Sequence, residues 1–271
     1  MSLTIASINS GSNGNCYYIS NGSEAVLVDI GLSCKEVELR LKRMQLSIEN
    51  IKAIFISHEH SDHIKGLVIF SNKYKIPVYI TESTRKEARL KLDKKNVFHF
   101  NETTPVVIGG LTITAFNKHH DAADPYSFTI SNSTTTVGVF TDIGTPCENL
   151  IAHFKKCHAA FLEANYDEEM LDKGSYPYIL KTRIKGGKGH LSNRQALDLF
   201  LQHRPVHLSH LLLSHLSKNN NNPQLVQQLF EPHANGVAIH VLSRYNESEL
   251  FTVGSPAAPV IKKPSQLQFS F

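Results

Sequence analysis

The chain has 271 residues, 41% of them hydrophobic, and a formal net charge of +4 with a pI near 8.8. Four scattered cysteines without a CxxC pair exclude a disulfide framework, and no apolar segment approaches the roughly 18 residues that a membrane span needs. The N-terminus lacks signal-peptide features, so we expect a cytoplasmic chain without a membrane partner. The mild basicity is compatible with a polyanionic partner but does not require one.

The first third of the chain alternates short β-branched runs with amphipathic segments. The runs predict strands at 3–8, 16–20, 25–30, 53–57 and 77–80. The amphipathic segments predict helices at 33–44, 63–74 and 84–95. Ser33 with Glu36, and Thr84 with Glu87, have the spacing of a capping box that opens a helix.

The rest of the chain continues this mixture. Strands are predicted at 111–116, 126–131, 136–141, 159–163, 207–214 and 237–243, and helices at 192–204 and 222–231. Ser192 and Gln195 form a predicted capping box, and Asn222 caps a helix whose first position is Pro223. The pattern predicts a single α/β sandwich domain over 1–253, followed by a Pro/Ser-rich tail at 254–271.

The densest run of titratable side chains, HEHSDH at 58–63, directly follows a predicted strand that ends at Ser57. In an extended segment, residues two apart point the same way, so His58 and His60 can bind one ion. Asp62 and His63 lie at the turn into the next helix and can bind a second ion. Imidazole and carboxylate ligands without thiolates suit zinc, manganese or iron. The segment therefore predicts part of a two-metal site.

Two ions need more ligands, and later strand ends supply them. Either His119 or His120 follows the strand at 111–116, Asp142 follows the strand at 136–141, and His215 follows the strand at 207–214. Asp142 is suited to bridge two ions because a carboxylate can offer one oxygen to each. For any single histidine the alternative is an ordinary core or surface residue.

These residues in this order resemble the signature of the metallo-β-lactamase superfamily. The segments SGSNGNCYYI, LVDIGLS, FTDIG, GHLSN and HLSKNNN, spread over roughly residues 5 to 245, are in addition similar to the YycJ/WalJ group of nucleases. The resemblance implies an α/β fold of the metallo-β-lactamase type. This is a four-layer αβ/βα sandwich in which two mixed β-sheets are flanked by helices and a dinuclear site lies at one edge.

The resemblance also implies how the ligands divide between two divalent metal ions, which would be zinc or manganese, with iron also suitable. One ion would be bound by His58, His60 and His120, and the other by Asp62, His63 and His215, with Asp142 bridging. The group places its histidine directly before Asp-Ala, which selects His120 over His119. GHLSN is similar to an element of ribonuclease Z-type enzymes, which implies that His190 assists at the scissile phosphate. Glu163, at a predicted strand end, is a candidate to orient the His190 imidazole, although it could instead bind backbone or a surface lysine.

The sequence offers two candidate phosphate contacts and one cationic segment. The SGSNGN loop could cradle a phosphate or could simply be a tight turn, and the start of the helix at 192–204 offers free backbone N–H groups. The cationic run at 181–188 could contact a nucleic-acid backbone or could be a solvated face. The predicted substrate-binding residues are Ser10, Asn13, Arg183, Ser192 and Asn193.

The function that we expect is a metal-dependent phosphodiesterase acting on nucleic acid through a water activated by two metals. The resemblance implies a 5′→3′ exodeoxyribonuclease, with DNA favoured over RNA. The interval from Asp142 to His215 is too short for the large domain that ribonuclease J relatives carry. The alternatives are a small-molecule hydrolase (phosphodiesterase, glyoxalase II-like thioesterase or lactonase) and a non-catalytic scaffold that binds nucleic acid or protein. The sequence leaves the oligomeric state open.

Overall fold

Two seven-stranded β-sheets form the frame of the computed structural model, which describes residues 2–254. The strands of the first sheet are β1 (Leu3–Asn9), β2 (Cys16–Ser20), β3 (Ala25–Val28), β4 (Ile51–Phe55), β5 (Val78–Tyr79), β6 (Val97–Phe98) and β14 (Phe251–Val253). Their order across the sheet is β14-β1-β2-β3-β4-β5-β6. The predicted tail lies outside the described residues apart from Gly254, so the domain boundary stays a prediction.

The second sheet repeats the arrangement of the first. Its strands are β7 (Val106–Ile108), β8 (Leu111–Asn117), β9 (Tyr126–Ser131), β10 (Thr136–Phe140), β11 (Ala159–Glu163), β12 (His210–Ser214) and β13 (Ala238–Val241). The order is β13-β12-β11-β10-β9-β8-β7. In each sheet, the three strand pairings on one side are antiparallel and the three on the other side are parallel. Parallel neighbours need crossover connections, and these bring helices onto the outer faces.

The helices lie mainly between parallel strands. They are α1 (Cys34–Arg43), α2 (Ser61–Ile64), α3 (Leu67–Tyr74), α4 (Glu82–Glu87), α5 (Glu148–Phe154), α6 (Glu168–Lys173), α7 (Tyr178–Lys185), α8 (Asn193–His203) and α9 (Pro223–Phe230). Short 3₁₀ turns lie at Ile48–Asn50, Lys94–Asn96 and Glu231–His233. No helix among residues 2–254 is long and apolar enough to cross a membrane.

The inner faces of the two sheets share one apolar core. Tyr17 of the first sheet packs on Phe161 of the second with ring centroids 4.8 Å apart, and Phe55 meets Phe128 edge-on at 5.7 Å. The outer face of the first sheet is covered by α1 and α3, and that of the second by α5, α8 and α9. This architecture confirms the predicted four-layer sandwich.

Two predicted helices differ from those observed. The basic helix predicted at 84–95 instead spans Glu82–Glu87, because the Thr81 side chain caps it by accepting a hydrogen bond from Thr84 N at 3.3 Å. The helix predicted at 63–74 is interrupted between α2 and α3. There Gly66 packs so closely on the backbone that a Cβ would lie 2.2 Å from Leu32 O.

Other local predictions agree with the structure. Ser33 and Asn222 accept the capping hydrogen bonds of α1 and α9, and Ser192 forms a complete capping box with Gln195 at the start of α8. The predicted capping box of α1 is only half formed, because the Glu36 side chain accepts from Arg40 instead. The sequence analysis missed α5, α6, α7, β6, β7 and β14. Most of these elements are short or weakly periodic, and they are positioned by packing rather than by a pattern of their own.

Candidate metal centre

The predicted donors meet at one edge of the sandwich because they follow strands that end at that edge. His58 comes just after β4, His120 after β8, Asp142 after β10 and His215 after β12. Glu163 is the last residue of β11. Strands β4 and β10–β12 belong to the parallel halves of their sheets, and the carboxyl ends of such strands are where α/β folds build their sites.

Three histidines form the first donor group. His58 Nε2 lies 3.1 Å from His60 Nδ1, and His120 Nε2 lies 3.4 Å from the same nitrogen. His58 and His120 are buried, whereas His60 is partly exposed toward the cleft. Three imidazole nitrogens this close together can hold a metal ion. His119, in contrast, is exposed, and the structure places His120 and not His119 in the group.

The second donor group combines Asp62, His63 and His215. Asp62 Oδ2 lies 3.6 Å from His63 Nε2 and 3.5 Å from His215 Nε2. Asp142 lies between the two groups, with Oδ2 3.1 Å from His63 Nε2 and Oδ1 3.8 Å from His120 Nε2. The carboxylate therefore faces both groups, as a shared ligand would.

Four of these imidazoles contact another group of the chain through Nδ1. Their Nε2 atoms point toward the neighbouring donors. The Nδ1 contacts are His58 with Ser57 Oγ at 2.9 Å, His63 with Asp29 Oδ2 at 2.7 Å, His120 with Gly189 O at 3.0 Å and His215 with Glu163 Oε1 at 2.9 Å. A hydrogen bond at Nδ1 fixes the tautomer and orientation of a metal-ligating histidine. The rings are thus arranged to present Nε2 lone pairs.

Two buried atoms of the centre have no hydrogen-bond partner among residues 2–254. They are Asp142 Oδ2 and His215 Nε2. A buried polar atom without a partner destabilises a fold by about 1–3 kcal/mol, so each such atom needs an explanation. A divalent cation between the donors would satisfy both atoms. The residues present therefore fit a metal site.

The charges of the centre are strongly coupled. Burial alone raises the pKa of Asp142, but the nearby His215 and His63 outweigh burial and hold the pKa well below its usual value. Burial lowers the pKa of His215, yet the carboxylates of Asp142, Asp62 and Glu163 raise it to about 10. The carboxylates of this edge therefore favour a positive charge among them, which a metal cation can supply in place of protons.

The backbone is strained where three of these side chains leave their strands. Asp29, Asp142 and His215 have φ values of 62°, 56° and 57°. The left-handed conformation is unfavourable for a residue with a Cβ, and it is retained mainly where surrounding contacts impose it, often at functional sites. Here it turns the side chains into the centre immediately after each strand.

His190 and Glu163 form a pair beside the centre. His190 Nδ1 lies 2.8 Å from Glu163 Oε1, and the His190 side chain is 20% exposed to the cleft. Glu163 is completely buried, and its Oε2 accepts hydrogen bonds from the backbone N–H groups of Ile143 at 2.7 Å and Leu191 at 3.2 Å. Burial raises the pKa of Glu163, but His190 and His215 outweigh it and lower the pKa to about 2.

Two predicted substrate contacts in the SGSNGN loop have other partners. Ser10 is buried, and its hydroxyl accepts a hydrogen bond from His215 N at 2.8 Å and contacts Tyr17 Oη at 3.0 Å. Asn13 is exposed and donates to Arg244 O at 2.8 Å. Ser10 therefore supports the backbone of His215 from within the protein instead of lining the cleft.

The predicted contacts at the start of α8 are also turned into the protein. Ser192 donates to Glu168 Oε1 at 2.9 Å and accepts from Gln195 N at 3.1 Å. Asn193 exchanges two amide hydrogen bonds of 2.9 Å with Asn221. Both residues are buried, so they hold α8 and the neighbouring loop in place.

Arg183 lies at the open side of the centre. It lines a cleft of about 380 Å³ together with Tyr176, His190 and both donor groups, and its guanidinium pairs with Asp121. Lys185 pairs with Asp172. The cationic run predicted at 181–188 thus lies beside the cleft, but part of its charge is neutralised by carboxylates.

The family of the chain follows from sequence comparison. Residues 24–215 match the model of the β-lactamase superfamily domain. The chain belongs to this superfamily. It also belongs to the YycJ/WalJ group within it. An exodeoxyribonuclease named YycJ from Bacillus anthracis is 33% identical over 246 residues, covering 88% of this chain and 92% of the relative. The exodeoxyribonuclease WalJ of Streptococcus pneumoniae is 31% identical over 223 residues, covering 80% and 82%.

Solved structures support the same superfamily at the level of the fold. YhfI from Bacillus subtilis, a metallo-β-lactamase fold protein, superposes with a TM-score of 0.73 over 93% of this chain and 99% of its own, at 17% identity. The family model and the two exodeoxyribonuclease relatives confirm the resemblance seen in the sequence. Membership of the superfamily and the His/Asp donor groups together support the use of divalent metal.

The sequence analysis missed four supporting residues of this superfamily site. Asp29 accepts hydrogen bonds from Ser57 N and Ser57 Oγ, both at 2.8 Å, in addition to its contact with His63. The others are Asn15, which contacts Asp62 and His63; Asn165, which contacts His215; and Lys118, which donates to Thr141 O. In the sequence, Asp29 ends an apolar run, as Asp142 does, and it lies in the LVDIGLS segment that resembles the YycJ/WalJ group.

Proposed function

We propose that the chain is a metal-dependent exodeoxyribonuclease that hydrolyses DNA from the 5′ end. The main support is the Asp142 carboxylate, which lies between a group of three histidines and a second group of two histidines and an aspartate. The names of the two relatives described above support DNA as the substrate.

Two divalent cations would occupy the two donor groups. His58, His60 and His120 would hold one, Asp62, His63 and His215 would hold the other, and Asp142 would contact both. Imidazole and carboxylate donors without thiolates favour zinc or manganese and also suit iron. Cations in such a site supply Lewis acidity and lower the pKa of coordinated water.

The chain contributes an acid–base group of its own. The His190 Nδ1–H donates to Glu163, which leaves Nε2 free on the side of the ring that faces the cleft. In its imidazolium form, with a second proton on Nε2, His190 would donate a hydrogen bond to a phosphate oxygen or pass that proton to the leaving oxygen. Glu163 acts through His190 and is therefore a positioning residue. Arg183, partly neutralised by Asp121, would contact the DNA backbone at the rim.

The proposal is tested by the substrates that the protein cleaves. Protein freed of metal with chelator and then supplied with manganese or zinc would be assayed on single-stranded DNA, double-stranded DNA, RNA and bis(p-nitrophenyl) phosphate. We expect release of nucleotides from DNA only with metal, and release from the 5′ end when the two ends carry different labels. Asp142→Ala should abolish this activity, whereas Asp198→Ala, on the exposed surface of α8, should not. Full DNA cleavage by Asp142→Ala would refute the proposed role of the shared carboxylate.

A further inference from the structure

A second cavity opens next to the cleft of the metal centre. It has a volume of about 310 Å³ and lies between the segments that follow β12 and β13. Leu216, Pro223 and Leu242 give it apolar walls, and Ser217 lines both this cavity and the cleft. The two spaces are therefore adjacent. The volume is at the lower end of the roughly 300–1,000 Å³ typical of sites for small organic groups.

Two basic side chains, Lys218 and Arg244, line this cavity. Lys218 is exposed, and neither Lys218 nor Arg244 forms an ion pair with any residue in 2–254. In contrast, Arg183, which lines the cleft, and Lys185 both pair with carboxylates. Unpaired cations beside an apolar space suit a ligand that carries both a flat apolar group and a phosphate.

An exposed aromatic ring is held at the rim. The Tyr245 side chain is 64% exposed, and the Arg244 guanidinium lies 5.9 Å from the centre of its ring. The backbone beneath it is fixed, because the buried Arg40 donates to Tyr245 O at 2.8 Å and Tyr245 N donates to Ser243 Oγ at 3.0 Å. Exposed aromatic side chains are surfaces on which proteins stack unpaired bases, with cation–π contributions from arginine.

We propose that this cavity binds one nucleotide of single-stranded DNA that flanks the nucleotide being cleaved. The base would stack on Tyr245 and enter the apolar space, and the phosphate would contact Lys218 and Arg244. The inference rests on the proposed nuclease function and extends it, because it gives the strand a direction of exit from the cleft along Ser217. Double-stranded DNA has no unpaired base to stack on Tyr245, so this site would add little to its binding affinity.

The first test compares long and short substrates. Tyr245→Ala should raise the KM for a single-stranded oligonucleotide about tenfold, because base–aromatic stacking contributes on that scale. It should leave hydrolysis of bis(p-nitrophenyl) phosphate unchanged, since that ester reaches only the metal centre. Tyr245→Phe, which keeps the ring, should behave as the wild type. An unchanged KM for DNA in Tyr245→Ala, or an equal loss on both substrates, would overturn the inference.

The second test measures binding without catalysis. In the presence of chelator, the fluorescence anisotropy of a labelled single-stranded oligonucleotide should show weaker binding to Lys218→Ala than to the wild type. The slope of the logarithm of the binding constant against the logarithm of salt concentration should decrease in magnitude by about one. Lys52→Ala is the matched control. Lys52 is exposed near the start of β4, whereas the donors of the metal centre follow the end of that strand. If the wild type cleaves no DNA, the proposed function fails, while this measurement still decides the inference. Equal binding by both variants would refute it.

Discussion

Replacing Glu163 by glutamine tests whether the Glu163 carboxylate determines which nitrogen of His190 and His215 carries the proton. The four donors to the Glu163 carboxylate are two imidazoles at Oε1 and two backbone N–H groups at Oε2. Glutamine has one oxygen and one NH₂ group. The backbone groups cannot reverse, so the glutamine oxygen must face Ile143 N and Leu191 N. Its NH₂ group then faces His190 and His215.

An NH₂ group can bond these imidazoles only if their Nδ1 atoms accept. Each neutral ring must then carry its proton on Nε2, and for His215 this removes the lone pair that faces Asp62. Losing a partner that orients a metal ligand typically weakens metal binding about 10- to 100-fold. Each lost charge-assisted hydrogen bond contributes about 1.5–3 kcal/mol. We therefore expect Glu163→Gln to weaken metal binding at least tenfold and to lower kcat about 10- to 100-fold.

The assay separates the two effects. Competition with a chromophoric chelator gives the metal dissociation constants, and hydrolysis of bis(p-nitrophenyl) phosphate at saturating metal gives kcat. Glu168→Gln is the matched control, because its side-chain oxygen can still accept the Ser192 hydroxyl. Metal affinity and kcat both within twofold of the wild type in Glu163→Gln would refute the argument that this carboxylate sets the tautomers.

Three further predictions concern other parts of the chain. His190→Ala should retain metal but lower kcat about 100- to 10,000-fold, as expected for an acid–base group; loss of metal instead would make His190 a ligand. Gly31→Ala should destabilise the fold by about 1–3 kcal/mol in urea unfolding, because the new Cβ would lie 1.7 Å from Asp62 O; unchanged stability would contradict this packing. Burial and then the charge of Lys156 lower the pKa of His153 to about 4. As the pH falls, the unfolded chain therefore binds a proton at His153 before the folded chain does. The free energy of unfolding should decrease as the pH drops from about 6.5 to 4. His153→Phe should remove about 1–2 kcal/mol of that decline between pH 7 and pH 4.5, and an identical decline in both proteins would refute the assignment.

The donors of the centre could be predicted because strand ends are visible in the sequence. A run of β-branched residues followed by a histidine or aspartate places a polar side chain at the edge of a sheet, and His58, Asp142 and His215 all have this context. The two sheets have the same strand arrangement, and their packing brings these strand ends together at one edge. For Glu163 the sequence left two alternatives open, contact with His190 or with backbone or a lysine, and the structure shows contact with both His190 and backbone N–H groups. The contact of Glu163 with His215 was not predicted.

The remaining features depend on contacts that no local pattern contains. Ser10 looks like a loop residue available to a phosphate, yet its hydroxyl accepts from the backbone of His215, 205 positions away. Gly66 interrupts a periodic segment at a point where its backbone lies so close to Leu32 O that a side chain would not fit. The αL conformation of Asp29 likewise arises from tertiary contacts. Sequence patterns predict which residues meet at this edge, but not which of them face inward.

We expect two cations to bind side by side with Asp142 between them. Anomalous diffraction from crystals grown with manganese or zinc would locate them. We predict two peaks, one contacted by His58, His60 and His120 and the other by Asp62, His63 and His215, with Asp142 touching both. A single peak, or two peaks that do not share Asp142, would contradict the account.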